Sequence, residues 1–147
     1  MECKLALGRD GQGALPHDVW ETYSAFANTE GGDIFLGLRE LGPSSYELAG
    51  IPNPRKVIEE LLAGAANPRV VSVNLLCVDN VGILAIDGRS VVQVSVPRAP
   101  DSLRPVYING DVLNGSYARD RSFDMRMSQD RVRRILAKVK AQVLSKA

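Results

Sequence analysis

The chain changes from helix to strand character within one stretch, Ser24-Ala25-Phe26-Ala27-Asn28-Thr29-Glu30-Gly31-Gly32, which runs directly into Asp33-Ile34-Phe35-Leu36-Gly37-Leu38. Upstream of the glycines, five large or apolar side chains share one helical face: Val19, Trp20, Tyr23, Phe26 and Ala27. Pro16 suits the first turn of this helix, because a residue at that position needs no N–H. The Gly31-Gly32 pair predicts the end of the helix, and the apolar run after it predicts a largely buried strand.

The middle of the chain predicts a second helix and a β-hairpin. Residues 41–52 are turn-rich, and Asn53 then suits an N-cap with Pro54 at the first helical position. The β-branched, apolar residues 70–78 predict a strand. Asp87-Gly88 lies between apolar residues 82–86 and 91–96, which predicts a tight hairpin turn.

The last third predicts short extended segments and a long helix. Residues 105–108 and 117–119 are expected to be extended, and turn dipeptides lie between them. Ser128 suits the N-cap of a final helix over residues 128–145, which packs on the domain or extends from it. We therefore predict one α+β domain over residues 1–147. It has two layers, with helices packed on one side of a mostly antiparallel or mixed β-sheet.

Composition narrows the class of protein and the class of partner. The 147 residues include two cysteines, Cys3 and Cys77, outside any CxxC pair, so we expect small, mostly buried thiols in a reducing, cytoplasmic compartment. No signal peptide and no membrane-spanning run is evident. The net charge is +1, yet nine Lys and Arg face only three Asp from Arg119 onward. This basic end favours an anionic partner such as nucleic acid, or it is a solvated helix face.

Three stretches resemble the Schlafen-type, AlbA-like domain. They are the opening Glu2-Cys3-Lys4, the helix-to-strand segment from Leu15 to Leu38, and the pair Arg104-Pro105-Val106-Tyr107-Ile108-Asn109-Gly110 and Gly115-Ser116-Tyr117-Ala118-Arg119. The resemblance implies a DNA-binding domain of the kind found near the N-terminus of bacterial transcriptional regulators and helicase-related proteins. The chain contains no GxxxxGK[ST] loop, so helicase or ATPase activity is not carried over.

The resemblance also raises a nuclease alternative. Some Schlafen proteins cleave tRNA with three carboxylates, and clustered acids of this kind hold Mg²⁺ or Mn²⁺ against phosphate oxygens. Here Glu2 and Glu40 match two of the acids, and Lys4 matches the nearby lysine. The first acid would precede Met1, which argues against metal catalysis by this chain. Glu2 and Glu40 are otherwise surface charges, or Glu2 pairs with Lys4.

Basic residues near an aromatic ring are the candidates for nucleic-acid contact. Arg119, Arg121 and Arg126 lie beside Tyr117, an arrangement that suits phosphate contact and base stacking. Arg104, at the start of the Pro-Val-Tyr segment, joins this set. Alternatively, the arginines pair with Asp120 and Asp124.

Other polar or aromatic residues favour structural roles. Asn28, Thr29 and the Gly31-Gly32 pair are placed to meet a ligand, but capping and turn formation explain them as well. His17 is expected to be exposed, and Trp20 and Tyr23 are expected to lie in the core.

Three hypotheses follow from the sequence. The first is a non-catalytic nucleic-acid-binding domain without a cofactor, with DNA favoured over RNA. The second is a metal-dependent endoribonuclease that uses Mg²⁺ or Mn²⁺. The third is a protein-interaction domain that dimerises through the hairpin edge and the apolar side of the last helix.

Overall fold

A computed structural model describes residues 1–145. Its helices and strands, in chain order, are β1 (Glu2–Lys4), α1 (Val19–Asn28), β2 (Gly32–Leu36), β3 (Leu38–Gly42), β4 (Ser45–Leu48), α2 (Pro54–Ala65), β5 (Val81–Ile86), β6 (Arg89–Val96), β7 (Tyr117–Asp120), β8 (Phe123–Arg126) and α3 (Gln129–Ser145). Short 3₁₀ turns lie at Val78–Asn80 and Asp101–Leu103. The α+β class predicted from the sequence is confirmed.

The main sheet has four strands in the order β1-β2-β6-β5. β1 runs parallel to β2, while β6 is antiparallel to both β2 and β5. β3 with β4, and β7 with β8, form two separate antiparallel hairpins. The sheet is therefore mixed, and β5 is one of its two edges.

The core lies between one face of β6 and the first two helices. Val92, Val94 and Val96 alternate along β6 and are fully or almost fully buried. They belong to one cluster with Tyr23 and Phe26 of α1 and with Val57, Leu61 and Ala65 of α2. Burial of these apolar side chains is the main force that holds both helices on the sheet.

Glycine positions explain how α1 passes into the sheet. Gly31 has a φ of +74° and donates its N–H to the Phe26 carbonyl at 2.8 Å, which is a left-handed helix cap. A Cβ at Gly31 would lie 2.8 Å from the Val96 carbonyl oxygen, so no larger residue fits. Gly37, with a φ of +101°, separates β2 from β3, and the strand predicted over residues 33–38 is therefore divided.

Several sequence-based boundaries are confirmed. Asp87 and Gly88 both have positive φ and join β5 to β6. The Asn53 side chain accepts from the Lys56 N–H at 3.3 Å and caps α2, with Pro54 as its first residue. Ser128 accepts from the Arg131 N–H at 3.1 Å and precedes α3.

Other predictions were wrong. Residues 70–78 do not form a regular strand; only Val71 bridges to Ile108. The Tyr23 hydroxyl takes the place of a strand partner, because it donates to the Val73 carbonyl at 2.8 Å and accepts from the Leu75 N–H at 2.7 Å. Residues 41–52 include the end of β3 and the whole of β4, so they are not merely a turn-rich connection.

The predicted cysteine burial was also wrong, since Cys77 is exposed and Cys3 is only half-buried. His17 is exposed and Tyr23 is 1% exposed, as expected. Trp20 packs edge-on against Tyr23 with ring centroids 5.5 Å apart.

α3 is attached to the domain mainly through its first turns. Only Val132 is fully buried, in a small cluster with Ala118 and Met127. Its exposed apolar residues are Leu136, Val143 and Leu144. Among residues 1–145, no helix combines the length and apolar character that a membrane span requires.

Candidate nucleic-acid interface

Two polar residues of α1 hold the Pro-Val-Tyr and Tyr-x-Arg segments in place. The Asn28 side-chain amide donates to the carbonyls of Val106 at 2.9 Å and Tyr117 at 2.8 Å, and its oxygen accepts from the Val106 N–H at 2.7 Å. Ser24 donates to the Val106 carbonyl at 2.7 Å and accepts from the Tyr117 N–H at 3.0 Å. Both side chains are buried, so the polar residues of the helix-to-strand segment bind other parts of the chain.

Arg119 lies at a buried meeting point of three segments. Its Nη1 is 2.6 Å from both Glu2 Oε2 and Asp124 Oδ1, and its guanidinium lies 5.0 Å from the centre of the Phe26 ring. The second carboxylate oxygen of Asp124 accepts a hydrogen bond from Thr22. Burial alone lowers the pKa of Arg119, but the hydrogen bonds and charges of Glu2 and Asp124 outweigh it and raise that pKa. The side chain is only 10% exposed, and two carboxylates neutralise it.

The other arginines of the predicted set differ in exposure. Arg121 is exposed at the β7–β8 turn with a φ of +58°, and the part of the chain that is described contains no salt-bridge partner for it. Arg126 is exposed and lies 5.8 Å from the centre of the Tyr117 ring, whose hydroxyl accepts its hydrogen bond at 3.3 Å. Tyr117 itself is buried and donates to Glu21 at 3.1 Å. The structure therefore brings Arg119, Arg126 and Tyr117 together and presents Arg121 and Arg126 to solvent.

Arg104 lies apart from the hairpin, in a cleft between α3 and the segment from Arg98 to Arg104. It forms a salt bridge with Asp101 and is mostly buried. Burial lowers the pKa of Arg104, and the nearby positive charge of Arg98 lowers it further. Arg131 and Lys138 of α3 line the same cleft. The sequence analysis missed Arg98 in this role, and the only available signal was its place six residues before Arg104 in a proline-rich segment.

The candidate nuclease residues are separated by their partners. Lys4, with a side chain 8% exposed, forms a 3.0 Å salt bridge with Asp18 and not with Glu2. Glu2 binds Arg119, while Glu40 is exposed on β3. Burial, followed by the charges of Glu40 and Glu2, raises the pKa of the Cys3 thiol. Across residues 1–145, no three His, Cys, Asp or Glu side chains form a group that could hold a metal ion.

The comparisons with known proteins identify the family. A family model described as Schlafen, AlbA_2 matches residues 1–128. The chain belongs to this family. The Schlafen AlbA_2 region therefore includes every element from β1 to β8 and ends just before α3.

Two solved structures are similar to this Schlafen AlbA_2 chain. The N-terminal domain of a RecG-related protein from Nitrosomonas europaea is 29% identical, with a TM-score of 0.58, over 86% of this chain and 81% of that one. The DIP2311 protein from Corynebacterium diphtheriae is 18% identical, with a TM-score of 0.59. The match covers 86% of this chain but only 21% of DIP2311, and it supports the fold alone. A search of curated proteins found no match.

Proposed function

We propose that this Schlafen AlbA_2 domain binds nucleic acid without catalysis, through phosphate contacts made by exposed cations. The observation that carries the proposal is the uneven pairing of its charges. Lys4 and Arg119 are held by carboxylates in the body of the domain. On α3, by contrast, four cations lack a salt bridge to any part of the chain that is described: Arg131, Arg134, Lys138 and Lys140. Unneutralised cations on one helix attract a polyanion.

The comparisons support the same class of ligand. The Nitrosomonas relative is described as related to the ATP-dependent DNA helicase RecG, and its N-terminal domain is the part similar to this chain. We infer from this that DNA is the preferred ligand over RNA and that the domain serves a regulator-like protein in the cytoplasm. Arg121 and Arg126 are exposed and would extend the contact surface beyond α3. Arg104 would contact phosphate from the cleft beside α3, whereas Arg119 would mainly hold the β7–β8 hairpin in position.

The test is fluorescence anisotropy with matched single- and double-stranded DNA and RNA over a series of salt concentrations. Phosphate contact predicts that the logarithm of the binding constant falls linearly with the logarithm of salt concentration, in proportion to the phosphates neutralised. Replacing Arg121 and Arg126 by Ala should weaken all ligands of one type uniformly and reduce this slope. No detectable binding of any of the four ligands at low salt would refute the proposal.

The nuclease alternative is examined in the same samples. Incubation of labelled RNA with Mn²⁺ or Mg²⁺ should leave it intact if the domain only binds. Metal-dependent cleavage that Glu40→Ala abolishes would contradict the non-catalytic proposal and support the endoribonuclease. Glu40 has an exposed side chain, so this variant should fold normally.

A second candidate function, self-association, is favoured by the outer edge of β5. The six residues Val-Gly-Ile-Leu-Ala-Ile contain no charge, and the side chains of Ile83, Leu84 and Ile86 are exposed. Exposed strands normally carry a charge or proline that prevents pairing with another strand. The uncharged edge of β5 can pair antiparallel with the same edge of a second copy of this chain. The proposed partner is therefore β5 of a second chain. Light scattering should then give a dimer mass for the wild type and a monomer mass for Leu84→Lys; a monomeric wild type would exclude this candidate.

A further inference from the structure

The cleft beside α3 combines cations with an apolar wall. On one side, Arg98 and Arg104 come from the segment that follows β6, and on the other, Arg131 and Lys138 come from α3. Asp101 is the single carboxylate among the lining residues, and it binds Arg104. Four cations against one carboxylate leave this concave surface strongly positive. Arg98, Arg131 and Lys138 are exposed, so an anion can reach them directly from solvent, and the excess of positive charge attracts it.

The spacing of residues on α3 places apolar side chains beside the cations of the cleft. Arg131, Ile135, Lys138 and Gln142 recur at helical intervals and face the same side. Val139 and, from the end of the β8 segment, Met127 add apolar surface next to the cations. The volume is about 290 Å³, near the lower end of the roughly 300–1,000 Å³ typical of small-molecule sites. The space is therefore of the size that one phosphate with its sugar and base would occupy.

Two uncharged polar side chains line the cleft, Asn28 and Gln142. Asn28 lines the cleft, but both of its side-chain atoms already bind Val106 and Tyr117. Apart from Gln142, the remaining lining side chains are charged or apolar. Side chains of these two kinds bind backbone phosphate and pack against the face of a base. Phosphate and base-face contacts should consequently dominate binding in the cleft.

From these features we infer that the cleft binds one nucleotide unit of a single strand. The phosphate lies among Arg98, Arg104, Arg131 and Lys138, and the base or sugar packs against Ile135 and Val139. This inference rests on the proposed nucleic-acid function and assigns it a place and a strand type. The α3 wall lies beyond residues 1–128, the part that the family model matches. The site therefore depends on residues outside the Schlafen AlbA_2 region.

A matched pair of double variants tests the inference in the full chain. Arg131→Ala with Lys138→Ala removes two cations from the cleft. Arg133→Ala with Lys140→Ala removes two cations with the same spacing from the opposite side of the same helix, and neither residue lines the cleft. All four side chains are exposed, so both variants should fold, which circular dichroism and thermal unfolding would verify. Any effect of net charge alone is the same in both.

Binding is measured by anisotropy with a labelled single-stranded oligonucleotide and with the matching duplex. We expect the cleft variant to lose about tenfold in affinity for the single strand and the control variant to lose about twofold. Both variants weaken the attraction of α3 for a polyanion, but only the cleft variant also removes cations that line the cleft. Equal losses of affinity for the single strand in the two variants would refute the assignment of the binding site to the cleft. The proposed function would then still stand. A wild-type chain that binds no oligonucleotide would overturn both.

A second measurement locates the ligand independently of affinity. Titration of ¹⁵N-labelled protein with the 5′-phosphorylated dinucleotide pdTpdT should shift backbone resonances of residues 98–104 and of α3 near Ile135. Shifts confined to the β7–β8 turn around Arg121 would place the strand elsewhere and refute the inference.

Discussion

Replacing Asn28 by Ala should destabilise the domain far more than a typical polar substitution. Met127 donates its N–H to the Ser116 carbonyl at 2.8 Å. Residues along an antiparallel pair alternate between bonding to the partner strand and pointing away from it. The next residue, Tyr117, therefore directs its N–H and C=O away from β8 and toward α1. The carbonyl of Tyr117 and the N–H of Val106 then depend on Asn28. The Val106 carbonyl keeps its bond from Ser24 at 2.7 Å.

Two buried backbone groups are therefore left without a partner in Asn28→Ala. At about 1–2 kcal/mol for each group, the free energy of unfolding should fall by about 3 kcal/mol. For a domain of this size the midpoint of thermal unfolding should fall by about 6–12 °C. Urea unfolding followed by circular dichroism measures the change, provided that the dependence of the free energy on urea concentration stays the same.

Asn67→Ala is the matched control for this experiment. Asn67 is exposed, and its side chain makes one local bond, accepting from the Arg69 N–H at 3.0 Å. Its replacement should cost less than about 1 kcal/mol, because water can satisfy the released group. The reasoning would be refuted if Asn28→Ala cost no more than the control, since the side chain would then not be the partner that these backbone groups require.

Three further predictions concern charge, pH and thiol reactivity. A double-mutant cycle with Arg119→Ala and Asp124→Ala should give a coupling energy of about 1–2 kcal/mol in urea unfolding, as expected for residues in direct contact; a coupling near zero would contradict the ion pair at 2.6 Å. Burial raises the pKa of Tyr23 to about 12 from 10.0, so the unfolded chain loses this proton first, and the free energy of unfolding should decrease as pH rises from about 10 to 12. Tyr23→Phe should make that decrease smaller, and an unchanged slope would argue against the shift. Exposed Cys77 should react with a thiol reagent at pH 8 faster than Cys3, whose pKa is raised by burial, Glu40 and Glu2; comparison of the two single Cys→Ser variants tests this order.

Local signals in the sequence were sufficient for much of the fold. Gly31 ends α1 because the backbone there needs a positive φ, which glycine adopts readily. Asp87 and Gly88 likewise determine the β5–β6 turn. In each case the deciding interaction lies within a few residues, so residue type and spacing were enough to predict it.

Long-range interactions explain what the sequence did not predict. Residues 70–78 have the composition of a strand, but the hydroxyl of Tyr23, some 50 residues away, bonds to their backbone. Arg119 was recognised as a notable arginine, yet its partner Glu2 is 117 residues distant. The convergence of Arg98 and Arg131 on one cleft depends on how α3 packs, which no local pattern specifies.

The salt bridges of Arg119 also have a consequence for how such a domain is joined to others. Because Glu2 and Asp124 share one guanidinium, the first strand and the last hairpin of the family-matched region meet at Arg119. The two ends of this region therefore lie on the same side of the domain. Domains with this arrangement are readily inserted into or appended to other proteins, since the host chain needs no long linker to pass around them. Arg119 thus joins the first strand of the family-matched region to its last hairpin.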